Sequence, residues 1–414
     1  MTIGKFVGCV MMVVGSAIGA GILAMPIVSA FAGFTTTVIV IIFLYILLTI
    51  SGLLVVEISL SLPEQACSFN SMAEKTLGPF GRTVTWVSYL LLLYTTLVAY
   101  IAGGPDLVYN LIHSTSTAQI PSSVVTILFT VIMGAIVFWS TKATDHFNRG
   151  LVSIKGFLLI TTLVLLAVYI DPSKLFVSPK IFTQVNHVLV ASPVLLCLFN
   201  YHFVIPSIRM YVGNKPMVLK WIVIVGTTIS LVIYLFWFAA VLSVIPLEGQ
   251  DSFTTIAGQG PGALSRVLTT IVNNRWINFC IHGFANISIT TAFLGVSLGL
   301  FDFLADGFKC SNTRFGRLQT ACLTFLPPLS LNILFPGASN FVRAFSYSGI
   351  FVAILFLILP PIMVYRLRKN PLLTQVSSYR VIFGKASFAA IITVGFVFTI
   401  FPILTSLGVF TVAK

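Results

Sequence analysis

Between Lys5 and Glu57 the chain carries no charged side chain, a run of 51 residues. A single helix that long would extend far past the roughly 30 Å hydrocarbon core of a bilayer, whereas two helices with a tight turn between them fit it. The turn is expected near Phe31 to Phe34. Counting these two at 6–30 and 35–60, further apolar runs follow near 83–112, 121–140, 150–170, 188–211, 219–245, 276–304, 318–335, 345–365 and 387–410. Each is continuous rather than alternating in polarity, which excludes a transmembrane β-barrel. The reading is an all-α polytopic membrane protein of eleven spans, residues 1–414 forming a single transmembrane domain.

Composition enters here as a check. The chain is 57% hydrophobic and 8% charged, against roughly 25% charged in soluble domains. A secreted enzyme, a nucleic-acid binder and a disulfide scaffold are excluded. Six cysteines show no Cys-x-x-Cys pair and four sit in apolar runs, so they read as buried small hydrophobes rather than metal ligands. A signal peptide is the rival reading of the first run, with Lys5, an apolar core and Ala30-Phe31-Ala32. Its apolar run is longer than the roughly 7–15 residues of a signal core.

The net charge of +13 is resolved by position. With a cytoplasmic N-terminus, sixteen of the 23 Lys and Arg residues fall in inside segments and six outside. Lys155 is left within a span. That asymmetry satisfies the positive-inside rule and puts the C-terminus outside.

The first run holds Gly15-Ser16-Ala17-Ile18-Gly19-Ala20-Gly21 and then Pro26. Three glycines in seven residues lower helix stability by roughly 1 kcal/mol each relative to alanine and permit a break. Gly15 and Gly19 also form a Gly-x-x-x-Gly pattern that suits close helix packing, and the glycines alone leave the two readings balanced. The sixth run tips the balance. There Pro193, Phe199-Asn200-Tyr201-His202 and Pro206-Ser207 interrupt another apolar stretch. Broken helices five spans apart are the mark of an inverted-repeat transporter, in which half-helix N-termini face an anionic group and exposed carbonyls receive a cation. The simplest solute with both charges is an amino acid.

The residues also resemble a family. The segment Gly15 to Pro26, Tyr94 with Tyr100, and Phe147-Asn148-Arg149 before Lys155 are similar to the bacterial hydroxy and aromatic amino acid permeases. So are His202 with Pro206-Ser207, the run from Phe293 through Asp302 to Asp306, and Gly316 to Thr320 with Phe325 to Pro328. The resemblance spans nearly the whole chain and is nearest to the tyrosine-specific members of the tryptophan/tyrosine permeases. It implies a five-plus-five inverted repeat of the leucine-transporter type, repeat one about 6–170 and repeat two about 188–365, with an additional helix about 387–410. It further implies proton-driven uptake across the bacterial inner membrane, so the expected partners are an aromatic amino acid (tyrosine before tryptophan or phenylalanine), a proton and the bilayer, with no cofactor and no nucleic acid. One segment departs: Leu198-Phe199-Asn200-Tyr201-His202-Phe203 stands where the family usually reads Ser-Phe-Gly-Phe/Tyr-His-Gly.

The expected substrate-binding residues are Ser16, Ile18, Gly19, Ala20 and Gly21 in span one, Tyr100 in span three and Phe199, Asn200, Tyr201 and His202 in span six. Asn286 in span eight and Tyr347 in span ten complete the set. Lys155, some 9 Å into span five at 1.5 Å per residue, either snorkels to the interface or serves ion coupling. In distant relatives of the implied fold a lysine on helix five replaces a sodium ion. The matching sodium cage would use carbonyls near Ile18 and Gly21 and hydroxyls on span eight, where Thr290 and Thr291 are followed by Ala292, one hydroxyl short. Proton coupling is therefore expected, with His202 a substrate contact, the alternative proton carrier after Lys155, or a structural group. Tyr94 and Tyr100, about 240° apart on a helix, cannot both face the site, and Tyr100 is the choice. Asp302 and Asp306 read as charge partners of Lys309, Arg314 and Arg317, and Glu57 as a structural anchor. An intramembrane enzyme is disfavoured: His-Glu-x-x-His is absent, the few acids cluster at helix ends, and the one Gly-x-Ser-x-Gly spacing, Gly295 to Gly299, lies inside a continuous apolar run rather than at a strand-to-helix turn. A channel lacks a filter sequence.

Overall fold

A computed structural model describes residues 2–63, 68–115, 120–176, 181–310, 313–337, 339–370, 379–382 and 384–406. Cys67, the end of the last apolar run and the C-terminus lie outside them. The described elements are helical. In order they are α1 (Ile3–Ala17), α2 (Gly21–Ser29), α3 (Phe34–Ser61), α4 (Phe69–Thr115), α5 (Ser122–Trp139), α6 (Thr141–Leu166), α7 (Ile181–Leu196), α8 (Ile205–Val212) and α9 (Pro216–Val244). Then come α10 (Pro261–Val272), α11 (Arg275–Gly307), α12 (Arg314–Leu334), α13 (Asn340–Val352), α14 (Leu359–Lys369) and α15 (Lys385–Ser406). A π-helical stretch, Ala353–Ile358, joins α13 to α14 into one span.

Among the described residues nine helices are long and apolar enough to cross a membrane, and the bent pair α1 and α2 makes ten. The expected eleventh, α12, has the length at 21 residues but is diluted by Arg314, Arg317, Gln319, Asn332 and two prolines. The expected turn near Phe31 to Phe34 is made by Gly33, whose φ of 79° suits glycine at the start of α3.

The core forms where α11 lies along α6 and α4, and where α13 packs on α4. The broken first span rests on α9, with Gly226 lacking the Cβ that would come within 2.7 Å of Val13. Arg209 on α8 is fully buried because its guanidinium donates to the carbonyls of Ser59 and Leu62 at the end of α3 and to Asn214. Those carbonyls have no partner within their own helix.

Glu57 is an anchor, as expected. Its carboxylate accepts two parallel bonds from Arg368, at 2.7 and 2.8 Å, and the backbone N–H of Val381 at 2.7 Å. The neighbouring Tyr379 hydroxyl is pushed up to about 12, by burial first and then by the Glu57 charge. Removing one partner of such a pair strands the other charge. Glu57→Gln is thus expected to destabilise the protein by about 3–5 kcal/mol, measured by thermal unfolding in detergent, while Glu57→Gln with Arg368→Met should lose less. Asp302 and Asp306 form no ion pair among the described residues. Arg317 gives its N–H groups to the carbonyls of Val137 and Phe138 instead, joining α12 to α5.

Candidate functional site

Both expected breaks occur, and their backbones match. α1 stops at Ala17 and α2 starts at Gly21, bent by 48°. Ile18, with φ −80° and ψ 79°, makes an inverse γ-turn in which the Gly19 N–H donates to the Ala17 carbonyl at 2.9 Å. In the sixth span Asn200, with φ −87° and ψ 64°, adopts nearly the same conformation between two short 3-10 turns. The glycines contribute something other than unusual torsions, since none of Gly15, Gly19 and Gly21 has positive φ. They supply open space. A Cβ on Gly15 would meet nothing nearer than Val152 at 3.9 Å, and one on Gly19 nothing nearer than the Tyr100 hydroxyl at 3.9 Å. That is not the close contact of a helix-packing motif, and both glycines line a central cavity of about 390 Å3.

The two breaks are tied together by one side chain. Tyr234 on α9 places its hydroxyl 2.7 Å from both the Ala17 and the Leu198 carbonyls. Trp237, one turn on, donates to the Ile22 carbonyl at 3.0 Å. Exposed carbonyls at a break inside a bilayer need such donors. Tyr234→Phe is expected to cost about 1–3 kcal/mol of stability by removing the one O–H that the two buried carbonyls share, read as a lower unfolding temperature with the fold retained.

Lys155 decides the character of the cavity. It is 5% exposed, lines the cavity wall, and donates from Nζ to the Ile18 carbonyl at 2.7 Å. Its ammonium therefore points to the break in span one rather than to the interface. Among the described residues no carboxylate forms an ion pair with it. Thr291 and Ala292 face the same cavity from α11, but the Thr291 hydroxyl donates within its own helix to the Ser288 carbonyl at 3.0 Å.

Of the expected residues, the structure brings Ser16, Gly19, Tyr100, Asn200, Lys155 and Thr291 to this one cavity. Asn200 holds a buried side-chain oxygen with no hydrogen-bond partner among the described residues. Ile18, Ala20 and Gly21 are buried at the break behind the lining, with Gly21 against Leu198. The remainder do not line this cavity. Tyr347 is on the outer surface, beside Val190 and Pro193, because α13 turns its other face to α4. Asn286 donates to His282 in its own helix, and Thr290 does not reach the lining. Phe199 packs on Tyr45 and Tyr234. Tyr201 donates to the Leu48 carbonyl at 2.9 Å, and His202 is fully buried in a stack between Tyr201 and Phe356. Among the described residues neither His202 ring nitrogen has a hydrogen-bond partner of good geometry. Tyr94, the tyrosine expected to face away from the site, donates to the Leu323 carbonyl at 2.8 Å.

Residues not singled out in the sequence complete the walls. Asn148 on α6, with an unpartnered buried oxygen like that of Asn200, lies in the Phe147-Asn148-Arg149 motif and was legible there. Tyr89, Thr96 and Phe203 carry no comparable signal in a chain with 36 phenylalanines. Asp106 on α4 has no motif around it either. It accepts the Gly262 N–H at 2.6 Å and clamps the start of α10.

A model of the tryptophan/tyrosine permease family matches residues 2–402. A tryptophan-specific transport protein of Pseudomonas aeruginosa is 32% identical over 370 residues, covering 88% of this chain and 87% of that one. Tyrosine-specific transport system 2 of Haemophilus influenzae is 31% identical over 407 residues, covering 98% and 97%. Among solved structures, a mutant manganese transporter of Eremococcus coleocola superposes with a TM-score of 0.61 at 11% identity, covering 97% of this chain and 86% of that one. At that identity the likeness speaks for the fold alone, the leucine-transporter type.

Proposed function

We propose, starting from the fact that the chain belongs to the tryptophan/tyrosine permease family, that it is a proton-coupled symporter importing an aromatic amino acid, tyrosine first, by alternating access. The observation that carries this reading is the Lys155 ammonium on the Ile18 carbonyl at the break, where a coupling cation would otherwise sit. The substrate carboxylate would lie at Gly19, beside the positive N-terminal end of α2. Its ammonium would meet the unpartnered oxygens of Asn148 and Asn200, and Tyr100 would border its ring. The two repeats, about 6–170 and 188–365, would rock against each other around this site. The N-terminus would be cytoplasmic and the C-terminus periplasmic in an inner membrane.

Protein reconstituted in liposomes is expected to accumulate labelled tyrosine under an inward proton gradient, with tryptophan and phenylalanine competing. Competition by leucine but not by aromatic amino acids would overturn the substrate class. Stronger competition by tryptophan than by unlabelled tyrosine would reverse the order of preference, a result the bulky Leu198, Asn200 and Phe203 make informative.

A further inference from the structure

A second hollow, of about 410 Å3, opens at the end of the bundle where α4 begins and α11 finishes. This is the cytoplasmic end in the orientation proposed above. Its walls are aromatic: Phe69, Trp86 and Tyr89 from α4, Phe203 from the turn before α8 and Phe303 from α11. Trp86 stacks on Phe303 at 5.3 Å, and Tyr89 packs on Phe203 at 4.7 Å between ring centroids. Tyr89 and Phe203 also line the central cavity, so this pair is the wall the two spaces share.

Two residues lining this hollow carry a buried polar atom with no hydrogen-bond partner among the described residues. Thr85 is 2% exposed, and its hydroxyl makes no hydrogen bond, although other threonines of α4 bond back to a carbonyl four residues earlier. The Asn70 side-chain oxygen is buried and unpartnered as well. Leaving such atoms unmet costs about 1–3 kcal/mol each, a cost that a hydrogen bond from a molecule or water reaching them from the hollow would offset. Arg82 on α4 and Asp306 on α11 both line the same hollow. Arg82 gives one N–H to Glu74 at 3.0 Å, and its guanidinium has further donors to offer a carboxylate.

We infer that this hollow is a second, inner binding site for the aromatic amino acid, occupied after the solute passes the Tyr89 and Phe203 wall and before it is released. The inference rests on the proposed transport reading. Arg82 and the Thr85 hydroxyl receive the carboxylate, Asp306 and the Asn70 oxygen receive the ammonium, and the ring lies among Phe69, Tyr89 and Phe303. A solute with one charge of each sign beside an aromatic ring matches all three kinds of group at once.

The test is equilibrium binding of labelled tyrosine to the purified full-length protein in lipid nanodiscs, with retained monodispersity checked for each variant. Wild type is expected to bind two molecules per chain. Thr85→Val, nearly isosteric, and Arg82→Gln should each reduce this to one. Gly19→Leu should remove the central molecule only, and Gly19→Leu with Arg82→Gln should bind none. One molecule in wild type, lost in Gly19→Leu and untouched by the other two variants, overturns the inner site while the transport reading stands. Two molecules with no loss in Thr85→Val or Arg82→Gln overturns it as well. No binding of tyrosine or tryptophan by wild type overturns both.

Discussion

Lys155→Ala protein in liposomes is expected to equilibrate labelled tyrosine without concentrating it. Under a one-unit pH gradient, one proton per solute is worth about 1.4 kcal/mol, enough for about tenfold accumulation by wild type. The variant should show none. The reason is geometric: the Lys155 ammonium sits on the Ile18 carbonyl at 2.7 Å, on the element that the transport cycle has to move. A proton that binds the two end states of such an element with different affinity couples its own movement to theirs. Exchange of internal for external tyrosine should persist, because exchange never requires the empty carrier to return. Imposing proton and sodium gradients separately completes the test. Sodium-driven accumulation by wild type, indifferent to the pH gradient, would eliminate the mechanism. Proton-driven accumulation by Lys155→Ala equal to wild type would move the role elsewhere. His202, the alternative carrier read in the sequence, is a poor successor, since it is fully buried against Tyr201 and Phe356 and does not line the cavity.

Gly19→Leu should abolish uptake while leaving membrane insertion and folding intact. The position is open, with only the Tyr100 hydroxyl near an added Cβ, so a branched side chain has room to extend into a cavity of about 390 Å3. Every atom it adds is taken from the space a tyrosine needs. Overfilling a packed space costs about 1–3 kcal/mol, so a loss of affinity of about tenfold or more is expected by equilibrium dialysis. Gly19→Ala is the control, since its single added carbon would stand 3.9 Å from Tyr100, an ordinary contact. Wild-type affinity in Gly19→Leu would place the solute away from the break in span one.

The solvent, the element type and the position of both breaks could be read from the chain alone. Those are properties of contiguous residues: a charge-free run of 51 cannot be accommodated except in lipid, and Gly-rich or Pro-flanked segments weaken a helix wherever they fall. Lys155 stood out for the same kind of reason, because a lone cation in an apolar run is expensive whatever surrounds it. Direction was not legible. In an apolar helix with no polar face, nothing local says which side meets a cavity, which meets lipid and which meets another helix. Tyr100 and Asn200 face the cavity while Tyr347 faces outward and His202 lies in an aromatic stack, although all four are polar groups in apolar spans. Packing settled that, through contacts made by residues far apart in the chain. Tyr234 bridging Ala17 and Leu198 and Arg209 bonded to the end of α3 belong to the same class. So do Tyr89 and Phe203, ordinary aromatics in the sequence that become a shared wall only when α4 and the second break are brought side by side.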